Sequence, residues 1–245
     1  MEWSEQGIAV GTRRHGETDI ILEVLTEGRG RHLGLVRGGR SRRLRPILQP
    51  GNTLALTWRA RLHEHLGNFR VEPVVERSGE LVASGIGAFG LALAAAHLRL
   101  LPERDPHPRL YRALCALLDN FDRPELAAEL MARFELLLLD ELGFGLDLES
   151  CAATGRRDEL RFVSPKSGRA VSSEAGEPYA ARLLPLPDFL IGPTGRSCTA
   201  EGMRQAFLLT GYFLERHVFD ARGEGLPEVR LNFLKAISTA AEAAV

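Results

Sequence analysis

The chain has 245 residues, 44% hydrophobic and 26% charged, with 31 Lys+Arg against 32 Asp+Glu and a net charge of -1. Such a composition is that of a globular protein with a substantial core, and it excludes a disordered chain, a collagen repeat or a coiled-coil rod. It also argues against a uniformly basic coat, but not against local charge: residues 1–80 hold 13 basic and 10 acidic side chains, residues 81–245 hold 18 and 22.

Five short apolar or alternating runs open the chain: Ile8–Val10, Ile20–Leu25, His32–Val36, Thr53–Trp58 and Asn68–Val71. They are separated by the turn signals His15-Gly16, Glu27–Gly30, Gly38-Gly39 and Gln49–Gly51. Five strands with no helix between them predict a small closed barrel over residues 1–79, of OB type, with an SH3-like barrel as the structural competitor. From residue 81 the period becomes helical, over Leu81–Leu101, His107–Phe121 and Pro124–Leu142. Pro108 and Pro124 suit first turns and Gly143 a C-terminal cap. Residues 146–198 lose the period and form a loop-rich insert, after which helices are expected over Ala200–Phe219, capped by Thr199, and over Leu231–Ala244. The expected class is therefore α+β: a barrel, then a helical domain over residues 80–245.

Of the 31 cations only Lys166 and Lys235 are lysines. Arginine suits bidentate phosphate binding, but a GC-rich genome gives the same bias, so the weight falls on clusters. The densest is Arg29, Arg31, Arg37, Arg40, Arg42, Arg43 and Arg45, with His32 and no acid between residues 29 and 45. A single-sign loop on a barrel attracts polyanions, so these residues are the candidate nucleic-acid contacts. Arg59, Arg61, His63, His65 and Arg70 extend the surface; Trp58 and Phe69 are candidates for base stacking, although a small barrel needs such rings in its core.

Three other features carry less. Gly85, Gly87 and Gly90 match the G-x-G-x-x-G dinucleotide fingerprint, the basis of an alternative reading as a nucleotide-cofactor enzyme. The strand before it is too short, and Asp105 lies in a Pro-rich turn. Cys151-Ala-Ala-Thr154-Gly155 begins like a zinc ribbon, yet Thr154 replaces the second thiolate and no second pair follows, so neither zinc nor another cofactor is expected. No catalytic constellation is present. Three widely spaced cysteines, an N-terminus without a signal pattern, and a Gly-interrupted Leu81–Leu98 that reads as a core helix predict a cytoplasmic protein.

Together, Ala9-Val10, His15–Asp19, Thr26-Glu27, Val36–Ser41, Leu101–Glu103, Pro106–Pro108, Arg133–Gly143, Leu146–Leu148, Cys151-Ala152 and Ser164–Gly168 make the chain resemble the RecO family. The resemblance implies an OB-fold domain, a helical domain and an insert that is a four-cysteine zinc module in some members, here without its ligands. It implies a nucleoid-associated, non-enzymatic mediator of DNA repair and recombination. Such a mediator binds single- and double-stranded DNA, anneals strands, and works with RecR to load RecA on DNA coated by single-stranded DNA-binding protein. The resemblance also places the acidic tail of that protein at Arg133, with Met131, Phe134 and Leu137 as pocket neighbours; the competing reading is an intrahelical pair with Glu129.

Overall fold

The computed structural model describes residues 1–192, 194 and 198–243. The chain forms two compact units, residues 1–119 and residues 120–245.

The first unit opens with β1 (Glu2–His15), β2 (Asp19–Thr26) and β3 (Gly30–Val36), followed by a short helix α1 (Leu44–Ile47), β4 (Thr53–Arg59) and β5 (Asn68–Val75). All five expected strands are present, and longer than their apolar runs. The extensions are mostly exposed residues carried by ladder pairing with neighbouring strands, a contribution that hydrophobic patterning does not register. The ladders run in the order β1-β2-β3-β5-β4 and return to β1. Four are antiparallel, whereas β3 and β5 meet at one parallel pair, Leu35 with Asn68. The ring is thus less completely sealed than the small closed barrel the sequence suggests. Its core is Ala9, Leu22, Val24, Val36, Leu48, Leu54, Leu56, Trp58 and Phe69. Strand β3 alternates buried and half-buried positions along its length, the signature of one face turned inward.

Three helices complete this unit: α2 (Ser78–Ala83), α3 (Gly85–Leu98) and α4 (Pro108–Leu118). The single helix expected over 81–101 is two, because Ser84 is extended and its side chain accepts a hydrogen bond from the Gly87 amide at 3.4 Å, capping α3. The compact unit therefore reaches 40 residues beyond the expected barrel boundary at residue 79. Glu23, on β2, ties helix to sheet: its carboxylate accepts from Arg31 at 3.0 Å and from Arg99, just past α3, at 2.7 Å.

The second unit contains α5 (Pro124–Glu141), a small sheet of β6 (Leu160–Val163), β7 (Ala170–Ser172) and β8 (Leu184–Pro185) with a one-turn α6 (Ser173–Gly176), then α7 (Ala200–Leu214) and α8 (Glu228–Ala243). The sheet order is β7-β6-β8, so the insert read as irregular has a three-stranded framework. Thr199 caps α7 by accepting the Gly202 amide at 3.0 Å. The expected helix to Phe219 is α-helical only to Leu214 and continues as a widened π-turn over Glu215–Phe219. Helix α8 starts three residues before the expected Leu231, and Ala244 lies outside the described residues. Buried Glu135 (α5), Thr210 (α7) and Arg230 (α8) join the three long helices, with Arg230 Nε donating to Glu135 Oε1 at 2.8 Å and Nη2 to Oε2 at 3.0 Å. Among the described residues, no helix is long and apolar enough to cross a membrane.

Candidate nucleic-acid interface

The loop from Arg37 to Gly51 starts at Gly38, whose φ of 63° favours glycine. The Gly38 amide donates to Asp19 Oδ1 at 2.8 Å, and this bond leads those holding the Asp19 carboxyl below its ordinary value. The Arg40 amide donates to Thr18 O at 2.9 Å and its guanidinium to Glu17 O, so the loop lies along the β1–β2 hairpin tip. At the far end, buried Asn52 donates to Pro46 O and Ile47 O, both at 3.0 Å, and accepts the amides of Arg77 and Ser78 at 2.9 and 3.0 Å. Both ends are therefore fastened, while Arg37, Arg40, Arg42, Arg43 and Arg45 are exposed. Among the described residues, no acid pairs with Arg42, Arg43 or Arg45.

Beside this loop lies a groove of about 1250 Å³. Its floor is the outer face of β1, β4 and β5, where register aligns Ser4 with Thr57 and Thr57 with Arg70, and Glu2 with Arg59 and Arg59 with Asn68. One side carries Val36, Arg37, Gly38, Ser41, Arg43 and Leu44. The groove thus gathers Arg37, Arg43, Arg59 and Arg70, which are spread over 34 positions of sequence. Arg59 pairs with Glu2 at 2.8 Å and Arg70 with Glu72 at 3.7 Å, all four side chains being exposed. Exposed pairs of this kind are weak, so phosphate oxygens can replace the carboxylates at little cost.

Several sequence candidates lie elsewhere. Arg31 is turned into the fold: its side chain is 15% exposed and bonded to Glu23 and, at 3.4 Å, to Leu101 O. Arg29 and Arg61 are exposed but outside the groove. Trp58 and Phe69 are core residues, 0% and 5% exposed, and Trp58 Nε1 donates to Leu66 O at 3.0 Å; neither is available to a base. His32 packs edge-on against Trp3, Trp58 and Phe69, and burial, aided by Arg104, lowers its pKa to about 4, so this member of the basic window is neutral. His63 and His65 are exposed on the β4–β5 loop, whose carbonyls at both residues accept from Arg104. Conversely, Arg13 and Arg14 stand exposed at the end of β1, opposite Ile21 and Ile20 and next to the hairpin tip that Arg40 grips. Two adjacent arginines before a His-Gly turn were the available signal.

Arg133 is engaged within its own unit. Nε donates to Glu129 Oε1 at 2.9 Å, and Nη2 to Phe189 O and, at 2.7 Å, to Gly192 O. Glu129 is 1% exposed, so this is a buried pair and not the surface i, i+4 contact the spacing suggests, and losing Arg133 would leave a buried carboxylate without that partner. Met131 and Phe134 are fully buried and Leu137 half-buried, so the first two do not line an open pocket.

The glycine motif is a packing device. Leu81–Ala83 belongs to α2, not to a strand, and a Cβ on Gly87 would meet Leu81 O at 2.7 Å, so α2 and α3 touch there backbone to backbone. Buried Cys151 accepts from Ser172 N at 3.2 Å and Ser172 Oγ at 3.3 Å. Burial raises its pKa, but these bonds and those from Thr154 and Ala153 outweigh it and bring the thiol to about 6. One thiol surrounded by hydroxyl and amide donors does not fit a tetrahedral zinc site.

Two family models match the chain: Recombination protein O N terminal over residues 1–76, and Recombination protein O C terminal over residues 80–224. Similar curated proteins, each named DNA repair protein RecO, include one from Methylobacterium nodulans (strain LMG 21967 / CNCM I-2342 / ORS 2060), 57% identical over 98% of this chain and 99% of its own. Another is from Chelativorans sp. (strain BNC1), 56% identical over 97% and 96%. A third, from Brucella abortus (strain 2308), is 53% identical over 98% and 97%.

Proposed function

The chain belongs to the RecO family of DNA repair proteins, and from that premise we propose that it is a non-enzymatic recombination mediator whose OB-type barrel holds DNA through the Arg37–Arg45 loop and the adjoining groove. The observation that carries this reading is the run of exposed arginines without acidic partners, anchored at both ends beside a polar sheet face. Exposed cations without acidic partners are free to neutralise phosphates, and holding two strands this way reduces their repulsion enough for complementary bases to pair. The groove mixes four arginines with Glu2, Glu5 and Glu72 and with Ser4, Thr57 and Asn68, and has no exposed ring, which suits backbone contact to single- and double-stranded DNA with little sequence preference.

Within the same proposal, the protein acts in the cytoplasm at the nucleoid, without a metal, in concert with RecR to load RecA on strands covered by single-stranded DNA-binding protein. The acidic tail of that protein would reach Arg133 only by competing with Glu129 and the carbonyls of Phe189 and Gly192. The test of the DNA site is affinity against salt for the wild type and for Arg42, Arg43 and Arg45 changed together to Ala. The logarithmic slope should fall by about one per lost phosphate contact, uniformly across sequences. An unchanged slope overturns the loop assignment.

A further inference from the structure

The second unit carries an aromatic column that the loop-and-groove reading does not use. Phe213, in the last turn of α7, stacks on His217 with ring centroids 5.9 Å apart and planes 11° from parallel. His217 in turn stacks on Phe144 at 5.0 Å and 10°. The inner ring is buried, the middle one half-buried, and the outer one, Phe144, is 40% exposed.

Each ring is held by backbone geometry. Phe144 follows Gly143, whose φ of 85° ends α5, and the Phe144 amide donates to Leu139 O at 2.7 Å. The π-turn over Glu215–Phe219 inserts a residue into the helical repeat and carries His217. Two cations lie on neighbouring segments. Arg216, next to His217 in the chain, donates its guanidinium to Tyr212 Oη at 2.7 Å and to Pro165 O at 3.2 Å, and the following residue, Lys166, is exposed. Gly168, in the same loop, approaches Phe213 closely enough that a Cβ would touch its ring at 3.8 Å. Among the described residues neither Lys166 nor Arg216 pairs with an acid.

We propose that the Phe213–His217–Phe144 column, with Lys166 and Arg216 on neighbouring segments, seats an unstacked base of single-stranded DNA on the Phe144 ring. The inference rests on the DNA-binding reading and extends it to the helical unit. A column that ends in an exposed, rigidly held aromatic accepts one further flat ring with little loss of conformational freedom, and any base has the π-face required. Lys166 and Arg216, neither with an acidic partner among the described residues, favour a base attached to phosphates over an apolar side chain. Because the base must leave its own stack, duplex DNA gains nothing from this seat.

The test uses the full-length protein with a single-stranded oligonucleotide containing 2-aminopurine, and a duplex of the same length. Wild type should quench the 2-aminopurine on binding. Phe144→Ala should lose much of that quench and bind the single strand about 10-fold more weakly, the contribution of one stacked base, with duplex affinity unchanged. Phe144→Trp should restore both, which separates stacking from simple loss of fold. Arg42, Arg43 and Arg45 changed to Ala should weaken single strand and duplex alike. Single-strand affinity and quench unaltered in Phe144→Ala overturn the seat while leaving the loop assignment standing. A duplex loss equal to the single-strand loss also overturns it. Absence of binding by the wild type overturns the DNA-binding reading and this inference with it.

Discussion

The arginines of the 37–45 loop and Arg230 of the helical unit are the same side chain in opposite settings. Arg230 is 8% exposed and makes bonds to both oxygens of Glu135, to Thr210 and to Phe207 O; Arg42, Arg43 and Arg45 are exposed and pair with no acid among the described residues. Arg31 and Arg133 fall between, each fixed by a nearly buried glutamate. A guanidinium already surrounded by its own protein has little left to offer a phosphate, so the availability of partners, more than the density of charge, separates arginines that can bind an anion from structural ones.

That contrast can be broken most severely at Arg230. Glu135→Ala leaves a buried cation unpaired and should lower unfolding free energy by about 3–5 kcal/mol, read from denaturant titration. Little or no loss would mean that the network is incidental to the fold. Arg31→Ala removes the charge-assisted bond to Glu23 and should destabilise by about 2 kcal/mol, while the salt slope of DNA binding stays at its wild-type value. A shallower slope would return Arg31 to the interface. The mildest test concerns His32, the silent member of the basic window. Its folded pKa of about 4 lies below the ordinary 6.5, so the unfolded chain takes up the proton first. Stability should be at its full value above pH 6.5 and decline as pH falls towards 4, and that part of the acid sensitivity should vanish in His32→Phe.

The strands were legible because alternation and turn residues are local signals, and their true length was not, since pairing of Glu2–Gln6 with Ala55–Arg59 is a long-range event. The 81–101 helix breaks at Ser84 because capping of α3 and close packing at Gly87 outweigh a continuous apolar pattern. In the site, the charge of the Arg37–Arg45 loop was plain, but the fates of Arg31 and Arg133 were not. Arg31 meets Leu101 across 70 positions and Arg133 meets Phe189 across 56. The Phe144–His217 pairing was invisible for the same reason, as was the nearness of Arg13 and Arg14 to the loop, which depends on Arg40 gripping the hairpin tip.

The lone pairing of Leu35 with Asn68 has a mechanical meaning. A hoop fastened by four long ladders and one short clasp yields at the clasp, and the Leu35 amide, bonded there to Gly67 O, should exchange with solvent before the amides of β1 and β2. The clasp borders the groove, which Val36, Arg37, Asn68 and Phe69 all line. Opening at that point would part β3 from β5 along one wall of the groove and leave the four long ladders intact.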